Sequence, residues 1–414
     1  MNILMLGRWL PPARQPVRAT REYQFARHLA RSHRLTLAFV SDTPDLAGTV
    51  SALRGELGDL EFATVPRGWK SLASAVRLAA GESCTLSYFR SEALQTRLAD
   101  RMRRTRYDRV VVSSSSMIQY ALEADPAIPL VADFGSLDSE WWAGQAARGT
   151  FGAARFFRTE AARLRLVEAV AARRAVRCVV ETPEVASIVE AMAPGAVTTV
   201  IRSGVDVNEL EPALRVGKVP TVVFNIAPNG GEEIERAVEF WQSIHSTVRA
   251  VVPDVRCVIV GGQPRAGGLG AKEPSGIEMA APGTDPRLVF HDHVVAVAPV
   301  RPGADLRSGV LEPMVAGVPV VATSLVRSRL GVETGLDLRV SDTGAEFAAE
   351  IVTLLKSGTL RREIGGRGRR FVQTNLSWSV LAARFEDIVS GPSGVRGVQD
   401  GGAGPHPIRA LLGG

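Results

Sequence analysis

Short runs of apolar residues alternate along the chain with longer segments in which apolar positions recur every three or four residues. The short runs predict buried β-strands, and the longer segments predict amphipathic helices. Because strands that alternate with helices are joined by right-handed crossovers, this order predicts parallel sheets covered on both faces. In the first half of the chain the predicted strands are 3–6, 35–40, 62–65, 110–113, 130–132, 176–180 and 198–201, and the predicted helices are 21–31, 91–104, 116–123, 153–175 and 183–192.

The alternation breaks near residues 211–220, a polar stretch with proline that is typical of a linker between domains. It then restarts, and after residue 390 the chain is rich in glycine and proline. We therefore predict two tandem doubly wound α/β domains, residues 1–215 and 216–390, the last helix of which can cross back, and a disordered tail at 391–414. The second domain has predicted strands at 221–225, 256–260, 277–280, 294–298 and 319–322 and predicted helices at 234–251 and 310–316.

Length and composition restrict the class of protein. A chain of 414 residues is too long for one ordinary domain, and a hydrophobic share of 45% excludes a mostly disordered chain. The chain contains no run of about 18 apolar residues of the kind that predicts a membrane-spanning helix. Its apolar first residues lack a cleavage site, so they predict a strand and not a signal peptide. Cys84, Cys178 and Cys257 lack metal-ligand spacing, which favours a reducing cytoplasm.

The charge pattern bears on possible partners. A formal net charge of +6 favours an anionic partner such as a phosphate, a nucleic acid or a membrane surface, although a GC-rich coding bias explains it equally well. The basic cluster at 101–106 lacks the interleaved aromatic residues of a platform for single-stranded nucleic acid. We predict no nucleic-acid binding and instead a peripheral contact with an anionic membrane at its cytoplasmic face.

The segment 297–323 carries a motif that reads Leu-Glu-Pro-Met-Val-Ala-Gly-Val-Pro-Val-Val-Ala-Thr from residue 311 onward. It resembles the nucleotide-sugar-binding signature of retaining GT-B glycosyltransferases of the family 4 type. Three further segments, 202–206, 255–262 and 361–378, resemble other motifs of that family in the same order. The segments 85–91, 114–120 and 131–141 are similar to a narrower group, the sugar transferases of exopolysaccharide and PEP-CTERM/exosortase loci.

This resemblance implies a GT-B fold, in which two tandem Rossmann-like domains face a central cleft. It also implies transfer of a sugar from a nucleotide-sugar donor to an acceptor with retention of configuration. The acceptor is a glycan, a lipid-linked molecule or a small molecule. No cofactor other than the nucleotide-diphosphate-sugar substrate is expected.

The predicted donor site lies in the loop and helix start of the 297–323 segment. A diphosphate needs cations and free N–H donors, which Arg301, Arg307 and the start of a helix capped by Ser308 can supply, with Gly309 beside them. A carboxylate accepts hydrogen bonds from adjacent hydroxyls, and the resemblance implies that Glu312 holds the nucleotide ribose. The alternatives are solvated arginines and an ordinary exposed helical glutamate.

The predicted acceptor side lies in the first domain. Arg18 and Arg21 follow the first strand, where they can contact a phosphate or an acidic acceptor, or simply lie at the surface. Trp141 and Trp142 can stack on a sugar, but adjacent helical residues do not share a face, so we expect one of them in the core.

Three carboxylates are candidates for the catalytic role. Asp133 and Asp138 come just after a strand, where they can orient an acceptor hydroxyl or act as a base, although Asp138 and Glu140 can equally cap the next helix. Asp305 is the third candidate, because the family's usual acidic residue eight positions before Glu312 is Ala304 here.

Two observations limit the predicted activity. Gly309 replaces a lysine common in the narrower group, and together with Ala304 it supports an alternative, a degenerate GT-B protein that serves as a binding or scaffold subunit of another transferase.

His291 and His293 alternate around Asp292 without a third ligand at recognisable spacing, so we predict a surface turn and no metal site.

Overall fold

A computed structural model describes residues 1–8, 21–41, 47–65, 81–207, 216–227, 231–262, 276–281, 283–301, 306–332 and 337–391 of the chain. These residues form two compact units, one from the described parts of 1–202 and 381–391, the other from those of 203–380. Each unit contains a parallel sheet with helices around it, which confirms the predicted mixed α/β class. Residues 211–215 of the predicted linker and residues 392–414 of the predicted tail lie outside the described residues.

The sheet of the first unit has its described strands in the order β3-β2-β1-β4-β5-β6-β7, and all of them are parallel. The chain runs outward from β1 to β3 and then returns to the other side of β1 at β4. The order therefore reverses between β1 and β4, the place where open parallel sheets bind ligands. The strands are β1 (Asn2–Gly7), β2 (Arg34–Ser41), β3 (Asp59–Thr64), β4 (Arg109–Ser113), β5 (Leu130–Gly135), β6 (Ala175–Val180) and β7 (Thr198–Val200).

Helices connect these strands and cover the sheet. A short 3₁₀ turn, Ser115–Met117, precedes one of them. The described helices of this unit before residue 202 are α1 (Arg21–Ser32), α2 (Ala47–Leu57), α3 (Cys84–Tyr88), α4 (Glu92–Arg104), α5 (Ile118–Ala121), α6 (Asp138–Arg148), α7 (Phe151–Arg174) and α8 (Pro183–Met192).

The sheet of the second unit follows the same principle, with the order β10-β9-β8-β11-β12-β13 and a reversal between β8 and β11. Its strands are β8 (Thr221–Ile226), β9 (Arg256–Gly261), β10 (Glu278–Met279), β11 (Val294–Ala298), β12 (Val320–Ala322) and β13 (Arg339–Val340). The remaining helices are α9 (Gly231–Val251), α10 (Glu312–Val315), α11 (Ser324–Leu330), α12 (Gly344–Lys356), α13 (Gly358–Asn375) and α14 (Trp378–Ser390).

Both faces of the second sheet are buried. Val222 and Val295 belong to the apolar cluster on one face, whereas Val223 and Ala296 belong to the cluster on the other. Strands with two buried faces are expected to be continuously apolar and not alternating. This explains why short apolar runs, without a period of two, located these strands in the sequence.

The last helix, α14, contributes its residues from Leu381 onward to the first unit. Phe385 stacks on Phe25 of α1, with ring centroids 4.1 Å apart. The Glu386 carboxylate lies 2.8 Å from His28 Nε2 of α1 and 3.1 Å from Nε2 of His33, the residue after α1. The C-terminal part of α14 is therefore an integral part of the first unit.

Several elements have the predicted bounds and others do not. Helix α8 and strand β11 begin and end where the sequence predicts, and α8 starts with Thr182 as N-cap and Pro183 in its first turn. The predicted helix at 116–123 is instead a 3₁₀ turn followed by the single helical turn α5. Helix α12 was not predicted, although its capping box of Thr343 and Glu346 is a recognisable start signal.

Gly317 follows the short helix α10 with a left-handed φ of 75°, the conformation in which glycine commonly ends a helix. Helix α13 packs against this turn. A Cβ atom on Gly365 would lie only 1.9 Å from the carbonyl oxygen of Gly317, so no side chain fits there. The next glycine, Gly366, has only the flexible Arg370 guanidinium near its Cβ position, at 3.8 Å.

We therefore predict that Gly365→Ala lowers the free energy of unfolding by about 1–3 kcal/mol, because the backbone around Gly317 has to move. Urea unfolding measures the change. The matched control is Gly366→Ala in the same helix, where the better helix propensity of alanine raises stability by up to about 1 kcal/mol. Equal effects of both variants would contradict the prediction.

Candidate active site

A pocket opens at the carboxyl ends of β8 and β11, where the strand order of the second sheet reverses. The ends of both strands, one face of α9 and the turn before α10 form its walls. This is the position at which doubly wound sheets bind ligands. Its polar lining comprises Asn225, Glu233, Arg236, Arg301 and Ser308, with Gly309 beside them.

Three of the predicted donor-binding residues, Arg301, Ser308 and Gly309, line this pocket. The other two, Arg307 and Glu312, lie in the same turn and helix, and Arg307 Nε is 4.0 Å from Glu312 Oε1. Glu312 is only 8% exposed, so it is not an ordinary solvated helical glutamate. The structure thus brings all five residues together around one edge of the sheet.

The carboxylate of Glu312 is held by a residue that the sequence analysis did not select. Asn225, at the end of β8, donates from Nδ2 to Glu312 Oε2 at 2.8 Å and to the carbonyl oxygen of Ser308 at 2.7 Å. Asn225 is 5% exposed and also lines the pocket. A polar asparagine near the carboxyl end of an otherwise apolar strand was the signal that could have indicated it.

The turn before α10 differs from the predicted helix start. Residues Arg307–Leu311 form a π-helical turn, in which Leu311 N donates to Leu306 O at 3.1 Å. The N-cap residue is Leu306, and Ser308 lies inside the turn. The prediction that Ser308 caps the helix was wrong, because the wider turn begins two residues earlier. π-helical turns are rare in proteins, and those that do occur frequently lie at functional sites.

The described cations of this site differ in their surroundings. Arg301 is exposed at the mouth of the pocket, and Arg307 lies beside Glu312. Arg236, on α9, lines the pocket as well and was missed because nothing in its helical pattern distinguishes it from a surface residue. Asp305 and Ala304, which the sequence analysis considered, lie outside the described residues.

Gly309 leaves room in the pocket wall. A Cβ atom at this position would have its nearest neighbour at 3.5 Å, the carbonyl oxygen of Asn225, which is ordinary van der Waals contact. The backbone therefore tolerates a side chain here. Crowding around a Cβ atom therefore does not account for the absence of the lysine that is common in the narrower group.

In the first unit, Arg21 and Asp133 form a buried ion pair. Arg21 Nε and Nη2 approach the Asp133 carboxylate at 3.0–3.1 Å, and Nη1 donates to the carbonyl oxygens of Ile201 and Arg202. The Asp133 side chain is 1% exposed and that of Arg21 is 10% exposed. Both groups are engaged with each other, and their predicted acceptor-contact and catalytic roles remain predictions.

Asp138 is the more accessible of the two described candidate acids. It is the first residue of α6 and lies 3.0 Å from Arg8 Nη1, and both side chains are partly exposed. Burial raises the pKa of the Asp138 carboxyl above its usual range, while the positive charge of Arg8 opposes that rise. Its side chain does not cap α6, since the N-cap residue is Leu137.

Two buried glutamates of α7 cap the amino ends of helices α3 and α6. Glu160 accepts hydrogen bonds from the backbone N–H groups of Cys84 and Thr85 at the start of α3. Glu168 accepts bonds from the backbone N–H and hydroxyl of Ser139 at the start of α6. Burial raises the pKa of the Glu168 carboxyl, and its hydrogen bonds act in the opposite direction.

The two tryptophans separate as predicted from their adjacency. Trp141 is 58% exposed, whereas Trp142 packs against the core of the first unit and donates from Nε1 to Thr85 Oγ1 at 3.0 Å. Trp141 is thus available to a ligand. Arg18 lies outside the described residues.

The turn that contains His291, Asp292 and His293 is held by contacts of the Asp292 carboxylate. Asp292 Oδ1 is 2.8 Å from His293 Nδ1 and accepts from Gly217 N at 2.7 Å. Within the described ranges, no group of three or more His, Cys, Asp or Glu side chains is arranged to hold a metal ion. Nor does any helix described by the structure have the length and apolar character needed to cross a membrane.

Residues 225–357, which include every residue that lines this pocket except Phe224, match the family model described as glycosyl transferases group 1. The match covers about a third of the chain, so this segment is similar to a glycosyltransferase domain. No curated protein matches the sequence. The two parallel sheets agree with the predicted GT-B fold.

Solved structures share the fold of this chain over almost its whole length. HepE from Anabaena, in complex with UDP, has a TM-score of 0.61 at 15% identity, with 94% of this chain and 100% of HepE covered. Sucrose-phosphate synthase from Thermosynechococcus elongatus has a TM-score of 0.60 at 14% identity, covering 94% and 98%. A glycosyltransferase from Rickettsia africae has a TM-score of 0.57 at 13% identity, covering 94% and 97%.

We predict that Arg21→Ala lowers the free energy of unfolding by about 3–5 kcal/mol, because it leaves the Asp133 carboxylate buried without its cation. Chemical denaturation measures the loss, and adding Asp133→Asn to the variant recovers part of it. The control is Arg104→Ala, which breaks an exposed pair with Asp100 and changes stability by at most about 1 kcal/mol. Similar losses in both arginine variants would contradict a buried, stabilising pair.

Proposed function

We propose that this protein transfers a sugar from a nucleoside diphosphate sugar to an acceptor hydroxyl, with retention of configuration. The observation that carries the proposal is the pocket at the β8–β11 reversal, with Glu312 fixed at its edge inside the matched domain. HepE, which shares the fold, is described in complex with UDP, with UDP and glucose, and with UDP-glucose. These complexes support a uridine-based donor as the first to test.

In this proposal the Glu312 carboxylate accepts hydrogen bonds from the ribose hydroxyls. Arg301 and Arg307, both close to the π turn, stabilise the diphosphate. The acceptor oxygen forms a bond to the anomeric carbon as the bond from that carbon to the diphosphate oxygen breaks. The diphosphate keeps the electron pair, and the cations stabilise its growing charge without a bound metal ion.

The proton of the acceptor hydroxyl needs a destination. Among the described candidate acids, Asp138 fits best, because its carboxyl is partly exposed and its raised pKa makes it a better base than an ordinary aspartate. Asp133 is already bonded to Arg21 and is almost fully buried. We therefore favour Asp138 for this role and Trp141 as a surface for sugar stacking.

A second candidate function is a binding or scaffold subunit that has lost donor turnover. It is favoured by Gly309, where the backbone accepts a side chain but the cation common in the narrower group is missing. The two functions differ in a measurable way. An enzyme turns over a donor, whereas a scaffold leaves every donor intact.

We predict that Glu312→Gln weakens binding of UDP or UDP-glucose about 10- to 100-fold, because one charge-assisted hydrogen bond contributes about 1.5–3 kcal/mol. Calorimetry measures binding, and release of UDP from a panel of nucleotide-sugars measures turnover. The control is Glu363→Gln, which changes an exposed glutamate of α13 paired with Arg367. Turnover by the wild type that is unaffected by Glu312→Gln would contradict the assigned role, and no turnover of any donor would favour the scaffold.

We also propose that the protein acts at the cytoplasmic face of a membrane that holds a lipid-linked acceptor. Arg103 and Arg104 at the end of α4 have side chains 73% and 77% exposed, and Arg106 is exposed as well. Each arginine near an anionic surface contributes about 1 kcal/mol. This surface is the basic patch that the sequence analysis identified.

We predict that Arg103→Gln with Arg104→Gln weakens binding to phosphatidylglycerol-containing liposomes about 30-fold, the equivalent of about 2 kcal/mol. Sedimentation at low and high salt measures the effect, which salt diminishes. The charge-matched control replaces Arg362 and Arg370, two exposed arginines of α13 in the other unit. Equal binding to neutral and anionic liposomes would remove the basis of the proposal.

A further inference from the structure

Asn225 has a place in the candidate site that its sequence position alone does not reveal. It occupies the carboxyl end of β8, the strand next to the reversal of the second sheet, and it lines the pocket. Its Nδ2 group donates to Ser308 O at 2.7 Å and to Glu312 Oε2 at 2.8 Å. One side chain thus connects the wall of the pocket, the π turn and the glutamate.

The bond to Ser308 O replaces one that the turn cannot make. In the π turn, the backbone N–H of Glu312 donates to Arg307 O, five residues back. The next such bond would run from residue 313 to Ser308 O, but residue 313 is proline and has no N–H. A buried carbonyl without a donor is costly. Asn225 supplies the donor that Pro313 lacks.

The bond to Glu312 uses the second hydrogen of the same amide. Both partners are acceptors, a carbonyl and a carboxylate oxygen, so the amide nitrogen and not the amide oxygen has to face them. A primary amide offers two N–H donors at a fixed angle from one atom. The orientation of the Glu312 carboxylate is therefore coupled to the geometry of the π turn.

We propose that Asn225 is a positioning residue that holds the Glu312 carboxylate in the orientation required to bind the nucleotide of the donor. The inference rests on the proposed function, since it assumes that Glu312 contacts the donor. Asn225 itself acts through Glu312. Removal of the Asn225 side chain is expected to reduce the free energy of donor binding by more than it reduces the free energy of unfolding.

The substitution Asn225→Asp is nearly isosteric but carries no donor when ionised. It places a second carboxylate at hydrogen-bond distance from Glu312, and two such groups share one proton as the pH falls. At pH 8 both are charged and repel each other, so the Glu312 carboxylate is displaced. At pH 5.5 the shared proton restores one hydrogen bond between them, which a merely structural role of residue 225 does not produce.

The experiment measures UDP affinity by calorimetry for the wild type, Asn225→Asp and Asn225→Ala between pH 5.5 and 8. We expect Asn225→Asp to bind at least about 30-fold more weakly than the wild type at pH 8 and to recover at least about fivefold at pH 5.5. Asn225→Ala binds weakly at both pH values. The matched control is Asn375→Asp at the end of α13, whose amide Nδ2 donates to Phe371 O at 2.9 Å.

A second comparison separates the two bonds of Asn225. Adding Pro313→Ala to Asn225→Ala restores an N–H that can donate to Ser308 O, so the melting temperature lost in the single variant recovers. UDP affinity stays low, because the bond to Glu312 is still missing. If affinity recovers together with stability, Asn225 serves the turn alone and the positioning inference is overturned.

The outcomes also distinguish this inference from the proposed function. If the wild type binds neither UDP nor GDP, nor any of their sugars, the proposed function fails. If the wild type binds UDP and both Asn225 variants bind it equally well, only the inference about Asn225 fails. A pH profile of Asn225→Asp that parallels the wild type overturns the shared-proton step and, with it, the coupling to Glu312.

Discussion

Helix ends inside a fold carry main-chain groups without an intrahelical partner, and in this protein side chains from distant elements supply those partners. Glu160 and Glu168 of one helix bind the amino ends of two others. Arg361 donates to Leu354 O and Leu355 O at the carboxyl end of α12, and Asn225 donates to the π turn. Because the bonds from Glu160, Glu168 and Asn225 join segments far apart in sequence, those helix ends take their final form only when each unit is packed.

The same constraint changes what the positive charge of the chain means. Arg109, 2% exposed, donates to Val389 O and Gly391 O, and burial lowers its pKa. Arg174 donates to Ala121 O and Ala124 O after the short helix α5. These guanidinium groups satisfy carbonyls inside the first unit and are not offered to an external anion. Net charge therefore overstates the basic surface, and the argument for an anionic partner depends on the exposed arginines alone.

Sequence periodicity predicted most strands because burial of both sheet faces leaves an unbroken apolar run, as in β11. It failed where a partner lies far away in the chain. In helix α7 the apolar positions recur every three or four residues and include Phe156, yet Phe156 is 36% exposed while Glu160 and Glu168 are buried. Likewise, the resemblance pointed to Glu312, but the π turn and its support by Asn225 depend on a contact across more than eighty residues.

Each sheet has a carboxylate at the edge formed by the carboxyl ends of its strands, and the two carboxylates have different partners. At the edge of the first sheet, Arg21 and Asp133 neutralise each other almost out of contact with water, so their ion pair costs desolvation and is retained for structure. At the edge of the second sheet, Glu312 Oε2 accepts a hydrogen bond from the neutral amide of Asn225, and Oε1 lies 4.0 Å from Arg307 Nε, a longer distance than the 3.0 Å of the Arg21–Asp133 pair. A carboxylate has several lone pairs, so Glu312 can accept further hydrogen bonds from hydroxyl groups. We therefore propose donor binding at Glu312 and the partly exposed Asp138 as the base to test on the acceptor side.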